Sequence, residues 1–554
     1  MKKLLIIVFL IILCIPIVQP ILSKGYFSMH DDTQIARVIV MGKAIRNGQF
    51  PVRWVSDLGY GYGYPLYNFY GPLPYYLGGS LYAAGLDGLR STKAVMVLGM
   101  IIAAITMYVF VRMLFGDLSG IIAGLLYAYA PYHAVQLYVR GALGELWAYA
   151  LLPLLFLGVY LYTDLNRRKH GGWIGGLGLA GIILSHTITG FVSVVFYGLG
   201  FVFYAAYVLI TKRFHSSLIT YHFSLLLVGL GLSAFFWIPA ITEMGYTNVA
   251  GQIGATANFR NHFVCIGQLW NSLWGYGGSA PGCIDGMSFK IGKLHVVLGV
   301  LGVVLAALRL KKEFWIHPIG FMSIFGIGSA VMLLSVSQPV WEIIPGLAYV
   351  QYPWRFLTGL VFAASVFGGS ILFWISRKWI RRGLAVIMIM GVIVVNAKVF
   401  VPQYVYDKPV ESYEGEAELL WRVSGISDEY LPQSFVKPGN PSRVAREILS
   451  TQPLLGYRVE TEINTETYVK LAVYTDNPIE VVLNRVYFPG WIYWVNGSVQ
   501  TARETNGLPM VRIPSGRSVV ELHFTNTPVR TAGNIISILV VLLFLRIYGK
   551  KIIA

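Results

Sequence analysis

A histidine and two adjacent aspartates, His30-Asp31-Asp32, open the first long polar segment of the chain, just beyond an apolar run from Leu4 to Leu22. A carboxylate pair beside an imidazole can take a proton from a reacting hydroxyl or hold a divalent metal. The simpler use is structural, with Asp32 capping an amphipathic helix read over Ile35, Val38, Ile39, Gly42 and Ile45 and stopped by Gly48 and Pro51. Capping consumes only one carboxylate, so His30, Asp31 and Asp32 are the candidate catalytic residues. The segment continues through a Gly-Tyr repeat, in which Tyr64, Asn68 and Tyr70 are candidate substrate contacts. Aromatic faces there suit either sugar stacking or a seat at the lipid headgroups, and physics alone favours the headgroups. His186 ends an apolar run, where an ionisable group is costly, and reads equally as a functional group or a satisfied helix-terminus histidine. Glu243 and His262 carry no motif and read as solvated.

These residues need a frame, and composition supplies it. A chain of 554 residues with 56% hydrophobic and 12% charged content is built for lipid. A spanning helix needs about 20 apolar residues. Twelve apolar runs are read as spans: 4–22, 91–113, 118–135, 146–163, 173–185, 188–210, 221–240, 291–308, 316–336, 356–375, 384–400 and 533–547. The first reads as an uncleaved anchor, and the stretch to Ala84 as an interfacial or re-entrant helix. Lys2, Lys3, Arg112, Arg167 to Lys169, Lys212, Arg213, Arg309 to Lys312, Arg377 to Arg382, Lys550 and Lys551 fall at ends assigned to one side, the cytoplasm. Both termini are then cytoplasmic, in a cell (plasma or inner) membrane. The formal charge of +17 is a topology signal, and scattered basic loops exclude nucleic acid as a partner.

Outside that membrane lie about 23–90, 136–145, 241–290, 337–355 and 401–531. Cys265 and Cys283 share the third of these and are either bridged or two free thiols. In the last, β-rich runs from about residue 457, with turn signals at Asn496-Gly497 and Pro514-Ser515-Gly516, predict a small antiparallel β-sandwich or jelly roll. The expected domains are thus a transmembrane domain over 1–400, an extracytoplasmic domain over 401–531, and a C-terminal helix and tail over 532–554. The β-rich part is either a carbohydrate-binding module or a cap.

Several motifs then carry a resemblance. The run from His30 to Tyr76, Ala130-Pro131-Tyr132-His133, Tyr138-Val139-Arg140-Gly141-Ala142 with Glu145, Leu184-Ser185-His186, Gln351 to Leu357, Glu429-Tyr430-Leu431-Pro432 and Tyr487 to Trp491 together resemble a prokaryotic membrane family called 6-pyruvoyl-tetrahydropterin synthase-related. Pterin chemistry is rejected, because that soluble enzyme needs zinc and the chain offers no convincing three-histidine cluster. The resemblance implies kinship with the GT-C superfamily, integral membrane glycosyltransferases that take a sugar from a polyprenyl-phosphate carrier. It implies Asp31 or Asp32 as base, Arg140 and Arg355 gripping the phosphate, and Glu145 as a second acid-base group or as Arg140's ion-pair partner. Arg355 serves equally as a topology anchor. The implied partners are a polyprenyl-phosphate sugar donor, a glycan, lipid or protein acceptor in the envelope, and membrane lipid. No cofactor is required, and a divalent metal is left open. The alternatives are a lipid-linked glycan transporter or flippase, and a non-catalytic envelope assembly scaffold.

Overall fold

Glycine seams set how the apolar helices pack. Gly158 of the helix Leu143–Leu161 lies so close to the helix Arg168–Ser185 that a Cβ there would meet Gly171 O at 2.7 Å and the backbone of Gly175. At the other end of the same pair, a Cβ on Gly144 would meet Ser185 O at 2.5 Å. Small residues let helix backbones approach in lipid, where apolar side chains gain nothing by leaving it. The consequence here is that the start of Leu143–Leu161 is pinned beside His186.

The computed structural model describes residues 2–162, 168–210, 216–252, 257–309, 318–452 and 455–552. Arg167, Lys212, Arg213, Lys311 and Lys312, which the expected orientation uses, lie outside the described residues. Among the described residues six helices are long and apolar enough to cross a membrane: Gly88–Phe115, Leu143–Leu161, Thr187–Ala206, Pro353–Trp374, Lys378–Val399 and Pro528–Ile547. Three pairs of consecutive helices pass the same test only when joined, which raises the number to nine. The expected spans at 118–135 and 173–185 are shorter apolar helices, Asp117–Ala128 and His170–Ser185. The first stops because Ala130-Pro131 breaks it, and the chain continues as a short helix Pro131–Ala134 and a π-helical turn Val135–Val139.

The chain divides into two compact units that interleave along the sequence: Met1–Asp32, Lys93–Ser233 and Ile253–Asp407 in the first, and Thr33–Thr92, Ala234–Gln252 and Lys408–Ala554 in the second. The first holds most of the apolar helices. It also holds the Cys265–Cys283 disulfide, with Cα atoms 5.6 Å apart.

The second unit contains the helix Gln34–Arg46, the helix Leu73–Ala83, the β-rich region and the helix Pro528–Ile552. The helix Gln34–Arg46 is not an amphipathic surface helix, since Gln34 to Gly42 and Ala44 are all buried. Gly42 and Gly79 let it seat against Leu73–Ala83, where a Cβ on Gly42 would meet Gly79 O at 2.8 Å. Its N-cap is Thr33, which makes no side-chain cap hydrogen bond. The β-rich region forms a five-stranded and a three-stranded antiparallel sheet. Asn496-Gly497 turns Trp491–Val495 into Ser498–Gln500 with both turn residues at positive φ, as a type I′ hairpin needs. A buried network holds the start of the last helix. Glu243 binds Arg530 at 2.9 Å, Thr527 at 2.7 Å and Asn68 at 2.8 Å, and Arg53 joins through Asn68 at 3.1 Å and Asn534 at 3.0 Å. Glu243 is therefore a buried ion-pair residue and not a solvated one.

Candidate active site

The acidic segment is held in place by its own backbone. Tyr26 and Phe27 pair antiparallel with Tyr406 and Val405, and the strand hands on to two further bonds, His30 N–H to Val139 O at 3.0 Å and Asp31 N–H to Arg140 O at 3.0 Å. Gly141 makes this approach feasible: its φ is +64°, and a Cβ there would strike Met29 Sδ and lie 3.0 Å from Asp31 O. The peptide bearing the two aspartates is thus laid against the residue that carries the first candidate phosphate-gripping arginine. Asp31 and Asp32 are half-buried. His30 is exposed, with Nε2 2.8 Å from Tyr276 O, so that its ring is fixed to the disulfide-closed loop.

Behind that contact, the π-helical turn Val135–Val139 brings Arg140 back toward the first turn of Leu143–Leu161. Arg140 NH1 donates to Glu145 Oε2 at 2.7 Å, while Tyr132 OH and Gln136 Nε2 donate to Glu145 Oε1 at 2.5 and 3.1 Å. Burial works against the Arg140 charge, yet Glu145, Tyr132 and Tyr352 together outweigh it and hold the guanidinium above its ordinary range. Arg355 comes from the other side, its Nε 3.9 Å from Glu145 Oε2 and its NH1 donating to Val350 O at 2.6 Å. Both guanidiniums lie over aromatic rings, Arg140 over Trp354 at 4.3 Å and Arg355 over Tyr352 at 5.0 Å. Gln351, which accepts from Arg355 at 3.2 Å, sits at φ +67°, an uncommon conformation for a residue with a side chain.

Two guanidiniums facing one carboxylate leave a net positive charge in a largely buried site. The Arg355 Nε is buried and has no hydrogen-bond partner among the described residues. That is the electrostatic description of an anion site, and planar guanidinium forks suit phosphate oxygens. His186 adjoins it across the Gly144 seam, within electrostatic reach of Glu145. Its Nδ1 accepts from Thr189 N–H at 3.3 Å and lies 2.7 Å from Thr189 Oγ1, so the proton of the neutral ring belongs on Nε2.

The structure therefore brings Arg140, Glu145, His186 and Arg355 together, and lays the backbone of His30 and Asp31 against Val139 and Arg140. It does not give Tyr64, Asn68 and Tyr70 a comparable setting. Tyr64 and Asn68 are buried in the second unit, where Tyr64 OH accepts from Tyr430 N–H at 3.1 Å and Asn68 belongs to the Glu243 network. Tyr70 OH accepts from Arg37 at 2.9 Å, and its ring carries the same guanidinium at 4.2 Å. The polar atoms of all three are thus engaged within the second unit. His262, read as solvated, is buried between Ser279 and the Tyr352 ring. Tyr132 and Trp354 were missed as site residues although they lie inside the recognised motifs, and Gln136 was missed between two of them. Among the described residues no group of three or more His, Cys, Asp or Glu side chains has the spacing to hold a metal.

Among proteins of known sequence, an uncharacterized protein of Lactococcus lactis subsp. cremoris is 25% identical over 264 residues, 45% of this chain and 42% of that one. Among solved structures, the apo oligosaccharyltransferase of Archaeoglobus fulgidus matches at a TM-score of 0.46 and 14% identity, covering 79% of this chain and 61% of that one. The arabinofuranosyltransferase AftD from Mycobacteria matches at 0.45 and 14%, covering 73% of this chain and 27% of that one. This chain thus spans less than two thirds of each of these proteins, and at such partial likeness chemistry has to be read from the side chains. The family model of the 6-pyruvoyl-tetrahydropterin synthase related domain, a membrane protein, matches residues 67–405, more than half of the chain, and the protein belongs to that family.

Proposed function

We propose that this protein is an integral membrane glycosyltransferase that moves a sugar from a polyprenyl-phosphate donor to a hydroxyl-bearing envelope acceptor outside the cytoplasm. The observation that supports the reading is the Asp31 peptide bonded to the backbone of Arg140, whose guanidinium and that of Arg355 face the single buried carboxylate of Glu145. In this reading the acceptor oxygen attacks the anomeric carbon and forms the new glycosidic bond. The bond from that carbon to the phosphate oxygen breaks, and its electron pair leaves on the phosphate. Asp31 or Asp32 takes the acceptor proton. Arg140 and Arg355 stabilise the charge gathering on the departing phosphate, with His186 Nε2–H as a further donor. Glu145 is buried at 2% exposure and already accepts three hydrogen bonds, so its role is to hold Arg140 and not to exchange protons with substrate. His30 positions the acidic segment through Tyr276.

The test is transfer of labelled sugar from a panel of polyprenyl-phosphate sugars by purified protein in nanodiscs. Transfer by the parent supports the reading. Absence of turnover on a broad panel, together with carrier translocation in liposomes that survives Asp31→Asn and Asp32→Asn, would replace it with a transporter.

A further inference from the structure

The loop closed by Cys265–Cys283 carries a surface that the transfer chemistry leaves unused. Ile266 and Leu273 are 75% and 73% exposed, and Trp270 is 45% exposed. Lys293 Nζ stands 5.7 Å from the centre of the Trp270 ring and Lys290 Nζ 5.8 Å from that of Trp274. Lys398 precedes Val401, whose O accepts from Tyr276 of the loop at 2.9 Å, and the Lys290 ammonium is held below its ordinary range by burial first and Lys398 next, against the pull of Asp285. Asp285 is the acid nearest to hand, but its carboxylate is spent on the loop, accepting from Gln268 at 2.8 Å, Ser272 at 2.6 Å and the Leu273 N–H at 3.0 Å. None of the three lysines is in an ion pair among the described residues. The Trp274 indole N–H is buried and lacks a hydrogen-bond partner among them.

Three ammonium groups outside any ion pair among the described residues, gathered beside two indole rings and exposed aliphatic side chains of the disulfide-closed loop, fit one kind of partner. Tryptophan and lysine share the headgroup layer, the ring at its apolar edge and the ammonium among the phosphates. We propose that this surface docks the phosphate headgroup of an anionic lipid in the extracytoplasmic leaflet. An acidic protein would satisfy the lysines but would leave Ile266 and Leu273 without a reason to be exposed. The patch is also continuous with the site. Trp274 meets the Tyr276 ring edge-on at 6.1 Å, and Tyr276 O receives His30 at 2.8 Å, so a headgroup held at Lys290 lies one aromatic pair from the acidic segment.

The surface rests on the outward orientation of the loop in the proposed function, but lipid retention is measured without turnover, so the two readings fail separately. Full-length protein in detergent is titrated with dioleoylphosphatidylglycerol, dioleoylphosphatidylcholine and inorganic phosphate, and bound lipid is counted by native mass spectrometry. The parent retains the anionic lipid in preference to the zwitterionic one, and the combined Lys290→Gln, Lys293→Gln and Lys398→Gln variant loses that preference by about tenfold or more. If the triple variant does not fold, the exposed single changes Lys293→Gln and Lys398→Gln decide, each lowering the preference a few-fold. Unchanged preference in these variants overturns the proposal. Displacement of the lipid by inorganic phosphate at equal concentration also overturns it, since the site would then be one for free anions.

Discussion

Replacing Glu145 by alanine would leave Arg140 and Arg355 buried together with no carboxylate between them, and uncompensated buried charge is expensive. Glu145→Ala is expected to cost about 3–5 kcal/mol of stability. Glu145→Gln keeps the shape and part of the hydrogen bonding, so it should fold better than the alanine variant while still weakening the grip on Arg140. Thermal melts of the three proteins in one detergent check the order. Gly141→Ala makes a different kind of test. The residue sits at φ +64° against Met29 and Asp31 O, so the change should cost about 1–3 kcal/mol and shift the acidic segment. Its transfer rate is expected to fall more than its donor affinity, which single-turnover and binding measurements separate. His30, Asp31 and Asp32 stood out because a cap needs one carboxylate and the chain supplies two. A Gly-Tyr repeat reads alike whether its rings face a sugar, a headgroup or their own protein, so it did not foretell the partners of Tyr64, Asn68 and Tyr70 within the second unit. Glu243 was passed over because its partner Arg530 lies 287 residues away in sequence, where no spacing rule reaches.

At the scale of elements, the β-rich region has its own titration. Glu466 is buried, and burial, the largest cause, pushes its carboxyl up to about 7 despite the Ser56 N–H that donates to it at 2.5 Å. A carboxyl raised in the folded state binds more protons there than in the unfolded chain between about pH 4.5 and 7. Its contribution to stability therefore falls as pH rises through that window and is level above it, a swing of about 3 kcal/mol. Glu466→Gln should flatten this part of the profile and raise the melting temperature at pH 8 relative to the parent. A Glu466→Gln protein with the parent's pH profile would assign the dependence elsewhere. The buried Glu243–Arg530 pair predicts a separate loss, with Arg530→Ala costing about 3–5 kcal/mol and Arg530→Lys less. Local signals fared well among these elements: Asn496-Gly497 announced its hairpin, and the strands Tyr468–Thr475 and Trp491–Val495 fall where β-branched and aromatic runs placed them. Asn506-Gly507 makes a second such turn, between Arg503–Thr505 and Leu508–Ile513, that went unread because its first strand has little β character. The strand Tyr457–Asn464 opens where the β-rich reading begins, although most of its side chains are exposed and its apolar alternation is weak.

For the molecule as a whole, hydropathy established the class of protein; where it reads twelve spans, six helices, or nine with the bent pairs joined, are long and apolar enough to cross among the described residues. A run such as 118–135 is apolar enough to span but is interrupted at Ala130-Pro131, and the interruption is what turns the chain toward Arg140. The functional break was written in the sequence as a proline, while the composition around it concealed the break. What no local pattern could supply is the pairing of the Asp31 peptide with Arg140, because strand-like bonds between distant segments depend on the packed helices that carry them. That juxtaposition is the central claim, and turnover of Asp31→Asn and Asp32→Asn in nanodiscs, measured beside donor binding, tests it most directly. One of the two variants should lose sugar transfer by about 10²-fold or more while binding the polyprenyl-phosphate sugar as the parent does. Transfer at the parent's rate in both variants would contradict the account.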